Sequence, residues 1–179
     1  HAPHGLAVSP RRVTLSTVGI VPALERLGTE TLIPNLAVSL HATTDAARTA
    51  LVPPNRKYPL ADIIEACRRF PLKARNRITF EYVLLHGVND SDEDARRLVR
   101  ILAGIKAKVN LIPLNPAPGI PFQRPPDARV DAFAQLLADR HLTVSVRKSR
   151  GLDIRAACGQ LLVEDSARPS PGQQLAQLF

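Results

Sequence analysis

Short apolar runs alternate with longer amphipathic stretches along most of this chain. Five runs rich in β-branched residues predict strands at residues 11–17, 35–41, 77–85, 107–115 and 142–149. Apolar residues at helical spacing predict helices at residues 21–28, 43–53, 60–70, from 91 onward and 127–140. Nearly continuous apolar strands alternating with helices are typical of a parallel sheet covered by helices. The sequence therefore predicts an α/β fold.

The strand-to-helix connections narrow the choice among α/β folds. None of them contains the glycine-rich fingerprint of a Rossmann or P-loop protein. A barrel of βα units, or part of one, fits the pattern better. In such barrels the C-terminal ends of the strands form the active-site edge.

Small polar residues follow the predicted strands at this edge. The polar residues are Ser16, Thr17, Ser39, His41, His86, Asn89 and Asn115. The apolar Leu40 lies between Ser39 and His41 and belongs to the same segment. Neutral hydrogen-bonding groups suit an adenosine or an amino-acid moiety better than acid–base hydrolysis. Each residue taken singly could instead cap a helix or shape a turn. The recurrence of the pattern at one edge favours a binding site.

Other chemistries find little support in the sequence. The acidic residues from Asp90 to Asp94 predict a solvated helix start. There is no H-E-x-x-H or C-x-x-C motif, so we expect no self-contained metal site. Ser16 and His41 lack the G-x-S-x-G elbow of a serine hydrolase.

The amino-acid composition predicts the class of binding partner and the cellular compartment. The net charge of +8 favours a polyanion, although a solvated basic surface would give the same number. Aromatic residues make up only 4%, which disfavours a base-stacking platform. Two cysteines and no long apolar run predict a soluble cytoplasmic protein without membrane contact. Because the chain starts at His1 and contains no methionine, we expect a piece of a longer protein.

The two cysteines have different surroundings. Cys67 lies on the apolar stripe of a predicted helix, which favours core packing. Cys158 lies between small residues in "AACGQL" and follows the basic residues Arg147, Lys148 and Arg150. Neighbouring cations lower a thiol pKa. The surroundings of Cys158 leave a reactive and a structural role equally open.

Six blocks of the sequence resemble, in order, the RlmN/Cfr family of radical S-adenosylmethionine (SAM) methyltransferases. The blocks are "RRVTLSTVGIVPAL", "LAVSLHA", "VPPNRKYPL", "ITFEYVLLHGVND", "VNLIPLNPAPG" and "VRKSRGLDIRAACGQL". The resemblance implies the later half of a (βα)6 radical SAM barrel over residues 11–163, a lead-in at 1–10 and a flexible tail at 164–179. It also implies a 23S rRNA adenosine as substrate. RlmN-type members methylate C2, some of them also in tRNA, whereas Cfr-type members methylate C8; the blocks look closer to RlmN.

The resemblance assigns roles residue by residue. Ser16, the segment Ser39, Leu40 and His41, and Asn115 match SAM contacts, and Cys158 matches the cysteine that becomes S-methylcysteine. Val18, Pro54 and Arg155 depart from the usual family residues but remove none of these matches. The family also uses a [4Fe–4S] cluster, reduced by an electron donor. The C-x3-C-x2-C ligands of that cluster are missing from this chain.

Three hypotheses follow. The first is a piece of a radical SAM rRNA methyltransferase that is inactive by itself. The second is a non-catalytic RNA-binding remnant that retains the basic surface. The third is a βα-barrel enzyme for a small phosphorylated substrate.

Overall fold

The computed structural model describes residues 12–116 and 119–147. Strands and helices alternate along this part of the chain. In order they are β1 (Thr14–Thr17), α1 (Val21–Gly28), β2 (Asn35–Ser39), α2 (Asp45–Leu51), a 3-10 helix (Pro53–Arg56), α3 (Leu60–Arg69), β3 (Ile78–Leu84), α4 (Asp92–Leu102), β4 (Ala107–Pro113), α5 (Asp127–Ala138) and β5 (Thr143–Val146). Each predicted strand and helix is present, with ends shifted by a few residues.

The five strands form one sheet in the order β1-β2-β3-β4-β5, and every neighbouring pair is parallel. Within the described residues β1 and β5 do not pair with each other, so the sheet is open there. A strand order that follows the chain is the arrangement of a βα barrel, with a helical crossover between successive strands. The predicted α/β fold with parallel strands and covering helices is confirmed.

One face of the sheet packs against the helices. Alternate residues of the strands, such as Val38, Phe80 and Val109, are fully buried against the apolar stripes of the helices. The helical spacing predicted for α3 is correct, because Ile63, Ile64 and Cys67 all lie in this core. The side-chain period of two along a strand sends the remaining residues to the opposite face, called the inner face below.

A second, smaller apolar cluster lies towards the C-terminal edge of the sheet. Val83, Leu85 and Leu114 come from β3 and from the residues after β3 and β4, and Leu51 and Val52 come from the end of α2. This cluster packs α2 onto the strand ends. It therefore fixes the backbone where the predicted site residues lie.

Several of the sequence predictions concern residues outside the described ranges. The lead-in at 1–10, the tail at 164–179 and Cys158 all lie there, so their predictions stand untested. Among the helices that the structure describes, none has the length and apolar character needed to cross a bilayer.

Candidate functional site

The inner face of the sheet is mostly polar. Residues paired in a parallel register lie on the same face, so the pairings define this face directly. Its polar members are Thr14, Ser16, Asn35, Ser39, Thr79, Glu81, Lys108, Asn110, Thr143 and Ser145, and its apolar members are Ala37, Val83 and Ile112. A face buried by packing would be apolar, so this face is not a packing surface, and Thr14 and Ser16 on it are exposed.

Two of the predicted residues lie next to Glu81 on this inner face. The Oγ of Ser16 donates a hydrogen bond to Oε2 of Glu81 at 3.3 Å, across the intervening strand β2. Ala37 is the β2 residue paired with Ser16, and its small side chain leaves room for this contact. Ser39 is the register partner of Glu81. The structure thus places the Glu81 carboxylate in hydrogen-bond contact with Ser16, with Ser39 beside it in the strand register.

Glu81 was missed by the sequence reasoning. A signal for it was present, because it is the one charged residue in the apolar run "ITFEYVLL". A lone charge in a buried strand is rarely tolerated without a reason. The register was needed to show that this residue faces Ser16 and Ser39.

His41 lies just beyond β2 in the left-handed region, with a φ of 58°. Its Nδ1 accepts a hydrogen bond from the Val83 N–H at 3.1 Å. A neutral imidazole with Nδ1 as acceptor carries its proton on Nε2. Burial, aided by the charge of Arg48, lowers the pKa of His41 to about 3. At neutral pH His41 is therefore an uncharged group with a donor at Nε2.

Asn89 holds the backbone around His41. Its Nδ2 donates to the carbonyls of His41 and Val83, both at 2.7 Å, and its Oδ1 accepts from the Leu85 N–H at 2.8 Å. All the atoms of this side-chain amide are thus used within the fold. The polar residues at the strand ends were interpreted either as a binding site or as residues that cap helices and shape turns. Asn89 shapes a turn.

The predicted solvated helix start is wrong for two of its four acids. Asp92 and Glu93 are well exposed, but Asp90 and Asp94 are buried, at 6% and 8% exposure. The Asp94 carboxylate accepts from Thr43 Oγ1 at 2.7 Å and forms a capping box with Ser91 at the start of α4. Burial acts to raise the pKa of Asp94, but the hydrogen bonds from Ser91, Thr43 and Arg97 outweigh it and lower the pKa overall. These tertiary partners were invisible in the sequence.

The other two predicted SAM contacts lie on different parts of the edge. The Leu40 side chain is fully buried in the core beneath the helices, so Leu40 can meet the inner face only through its backbone. Asn115 lies two residues beyond β4 and is half-buried. The structure brings Ser16, Ser39 and His41 to neighbouring places on β1 and at the end of β2, with Asn115 beyond β4 on the same edge.

Cys67 behaves as predicted. It is buried on α3 at 2% exposure, and burial raises its pKa to about 12. Its thiol is therefore inert at neutral pH. Among the described residues no group of three or more His, Cys, Asp or Glu side chains could hold a metal ion.

Solved structures with the same architecture show which class of protein has this fold. A radical SAM methyltransferase from Sphaerobacter thermophilus superimposes with a TM-score of 0.81 at 53% identity, over 85% of this chain and 45% of that one. A domain of a pyruvate-formate lyase-activating enzyme from Bacteroides vulgatus superimposes with a TM-score of 0.57 at 15% identity, over 75% and 80%, which bears on the fold alone. The sheet and its helices are therefore the fold of a radical SAM enzyme.

Curated relatives specify the family within that class. A dual-specificity RNA methyltransferase RlmN from Anaeromyxobacter sp. (strain Fw109-5) is 58% identical over 167 residues, covering 91% of this chain and 44% of the relative. The RlmN of Geobacter sulfurreducens is 54% identical over 173 residues, covering 96% and 48%. No family model matches the chain. These matches confirm the resemblance to RlmN proteins, and the chain spans slightly less than half the length of these RlmN relatives.

Proposed function

We propose that this chain is the part of an RlmN-type radical SAM methyltransferase that binds SAM at the C-terminal edge of the sheet and carries the methyl-accepting cysteine, Cys158. The observation that carries the proposal is the identity of 51–59% to RlmN proteins over 87–97% of the chain. The polar inner face supports it, because a packing core alone does not call for ten polar residues.

The residues at the edge fit SAM by their chemistry. SAM presents an ammonium group, a carboxylate, ribose hydroxyls and an adenine ring, and it supplies the methyl group when bound. Ser16 and Ser39 offer small neutral hydrogen-bonding groups, the uncharged imidazole of His41 adds no positive charge at this edge, and Glu81 offers a carboxylate for an ammonium or a hydroxyl donor. In this proposal they orient SAM, together with Asn115 and the backbone of Leu40.

Cys158 accepts the methyl group. Its thiolate forms the S–CH3 bond as the bond from that methyl to the SAM sulfur breaks, and S-adenosylhomocysteine leaves. The S-methylcysteine then provides the carbon that is added to the adenine. The basic residues that precede Cys158 in the sequence favour the thiolate. Cys67, with its raised pKa and its place in the core, cannot substitute for it.

The [4Fe–4S] cluster does not fit the residues of this chain. Two cysteines cannot supply the three that such a cluster uses in this family, and the described residues hold no alternative cluster of ligands. The ligands and the site for the electron donor therefore belong elsewhere in the full-length protein. We expect the chain by itself to transfer no methyl group.

The proposed substrate is an adenosine of 23S rRNA, methylated at C2, with tRNA as a second substrate. The relatives named dual-specificity RNA methyltransferase RlmN support an RNA substrate, and the choice of 23S rRNA, C2 and tRNA rests on the resemblance of the sequence blocks to RlmN-type members. The net charge of +8 suits a nucleic-acid partner in the cytoplasm. An enzyme that works on a base edge needs that base unstacked, so the RNA must present it in a loop or flip it out.

The test is methylation of unmodified 23S rRNA by the full-length protein with a reconstituted cluster, reductant and SAM. Mass spectrometry of the digested RNA should show 2-methyladenosine. Detection of 8-methyladenosine would support the C8 alternative instead. If the loaded wild-type protein methylates no nucleoside, the RNA-binding remnant becomes the better account.

The two cysteines provide a matched pair of variants for the same assay. We expect Cys158→Ala to abolish methyl transfer and leave SAM binding intact, because only the methyl acceptor is lost. We expect Cys67→Ala to remain active, because Cys67 packs in the core between α3 and the sheet and not on the inner face. Activity of Cys158→Ala equal to the wild type would contradict the assigned role.

A further inference from the structure

Arg48 is a fully buried charge that the proposed chemistry does not use. It lies in the middle of α2 with 0% of its surface exposed. Burial lowers its pKa to about 10, against the opposing effect of the nearby Asp45, so the guanidinium remains a cation at neutral pH. Burying a charge is costly, and an apolar residue of similar size is often as stable. A cation at this position therefore calls for a specific explanation.

The guanidinium of Arg48 binds the ends of two strands at once. Its Nη2 donates to the carbonyl of Val18, directly after β1, at 2.6 Å and to that of Ser39, at the end of β2, at 3.0 Å. Its Nε donates to the carbonyl of Leu40 at 3.0 Å. The guanidinium carries five N–H groups in a rigid planar fork, which suits it to bridging several carbonyls in a fixed geometry.

A second layer of contacts sets the orientation of the guanidinium. Its Nη1 donates to Oδ1 of Asn55 at 2.9 Å. The Nδ2 of Asn55 in turn donates to Oδ1 of Asp45 at 3.0 Å and to Oγ1 of Thr49 at 2.9 Å. Asn55 is itself buried in the 3-10 helix. The arginine is therefore held from behind by α2 and the 3-10 helix while it binds the strand ends in front.

We propose that Arg48 is the positioning residue of the SAM site, which fixes the ends of β1 and β2 relative to each other so that Ser16, Ser39 and His41 meet the ligand together. This inference rests on the proposed function. Arg48 has no exposed surface, so it acts through the backbone and does not touch SAM itself. The inference explains why a cation occupies this core position: its partners are the backbone carbonyls that carry the site.

The test is SAM binding by the full-length reconstituted protein, measured for wild type and Arg48→Lys. Lysine keeps the charge but loses the planar fork. We expect the dissociation constant for SAM to rise by about 10-fold or more, as affinity falls at metal sites when a residue that supports a ligand is lost. The KM for SAM should rise with it, whereas the KM for RNA should stay unchanged.

Leu137→Ala is the matched control for lost stability. Leu137 is fully buried near the end of α5 that leads into β5, at the opposite edge of the sheet from the proposed site. It should lower the melting temperature and leave the SAM dissociation constant unchanged. If Arg48→Lys does not fold, Asn55→Ala tests the same idea, because it frees the guanidinium from its support and keeps the cation.

The outcomes separate this inference from the proposed function. If wild type binds SAM and Arg48→Lys, or Asn55→Ala in its place, binds it equally well, the positioning role is overturned and the proposed function survives. If the wild-type protein binds no SAM, both are overturned. Weaker SAM binding in the arginine variant but not in Leu137→Ala is the result we expect.

Discussion

His41 shows how a single side chain is set by its surroundings. Its backbone carbonyl is held by Asn89, its Nδ1 accepts a backbone N–H, and its left-handed φ is unusual for a residue with a side chain. Strained backbone that the surrounding contacts hold in place is a common property of functional sites. His41 is thus built as a fixed, neutral donor, which suits a binding role better than proton transfer.

The lowered pKa of His41 predicts a pH-dependent stability. The folded pKa is about 3, while the unfolded chain has the ordinary value near 6.5. Below the unfolded pKa, the unfolded chain binds a proton that the folded chain does not, so stability is complete above that pH and falls as the pH drops. The slope from this residue is at most about 1.4 kcal/mol per pH unit.

The measurement is urea unfolding at about pH 7 and about pH 5 for wild type and His41→Gln. We expect the wild type to lose more stability than the variant between the two pH values. Equal losses would mean that His41 takes up its proton in the folded protein, and the neutral-donor account would be wrong.

At the residue scale the sequence predicted positions better than partners. Ser16, Ser39 and His41 were correctly placed at strand ends, because apolar runs rich in β-branched residues end there. Glu81 and Arg48 were missed, since their significance depends on the register of β3 and on the burial of α2. Contacts that join residues far apart in sequence have no local signal.

At the element scale, the backbone of the turn between β1 and α1 lies very close to helix α3. Gly19 has a φ of 92°, and a Cβ placed on it would lie 2.8 Å from Cδ1 of Ile63 on α3. The Gly19 N–H also donates to Oγ1 of Thr17 at 3.1 Å. Only glycine satisfies both the backbone conformation and the space at this turn.

We therefore expect Gly19→Ala to destabilise the protein by more than Gly104→Ala. Gly104 has a similar φ of 80° but nothing within 4 Å of an added Cβ, so it reports the backbone strain alone, about 1–2 kcal/mol. The clash with Ile63 should add about 1–3 kcal/mol at Gly19. Denaturant unfolding of both variants measures the difference, and equal free energies of unfolding would show that α3 yields without cost.

The elements themselves were largely predictable. All five strands and five α-helices were foreseen because each carries its own periodicity, together with signals such as Thr44 and Ser91 at helix starts. The acidic run before α4 was misjudged because Asp94 pairs with Thr43, 51 residues away. The 3-10 helix at Pro53–Arg56 begins at the proline pair. It is too short to show a hydrophobic periodicity, so the sequence did not predict it.

At the scale of the whole molecule the positive charge is partly neutralised on the helices. Arg68 and Arg69 lie within 4.0 Å of Glu65, and Arg96, Arg97 and Arg100 each lie within 4.0 Å of Glu93. Exposed ion pairs of this kind contribute little to stability. They do lower the net charge of the α3 and α4 surfaces. An RNA partner would therefore find weaker attraction there than the total charge of +8 indicates.

The sheet order and the polar inner face are properties of the whole molecule that follow from topology. The sequence predicted parallel strands of a βα barrel, and their common direction puts every C-terminal strand end at one edge. It could not show that ten polar residues share one face, because the face of each residue is fixed only by the register. The sequence identity to RlmN proteins then supports the proposal that this face binds SAM.

The central claim is tested most directly by locating the transferred methyl group on the protein. The full-length protein, reconstituted and incubated with SAM carrying an isotopically labelled methyl group, would be digested and mapped by mass spectrometry. The account predicts one added labelled methyl on the peptide that contains Cys158 and none on the peptide that contains Cys67. Methylation of RNA with no labelled methyl ever found on Cys158 would contradict it.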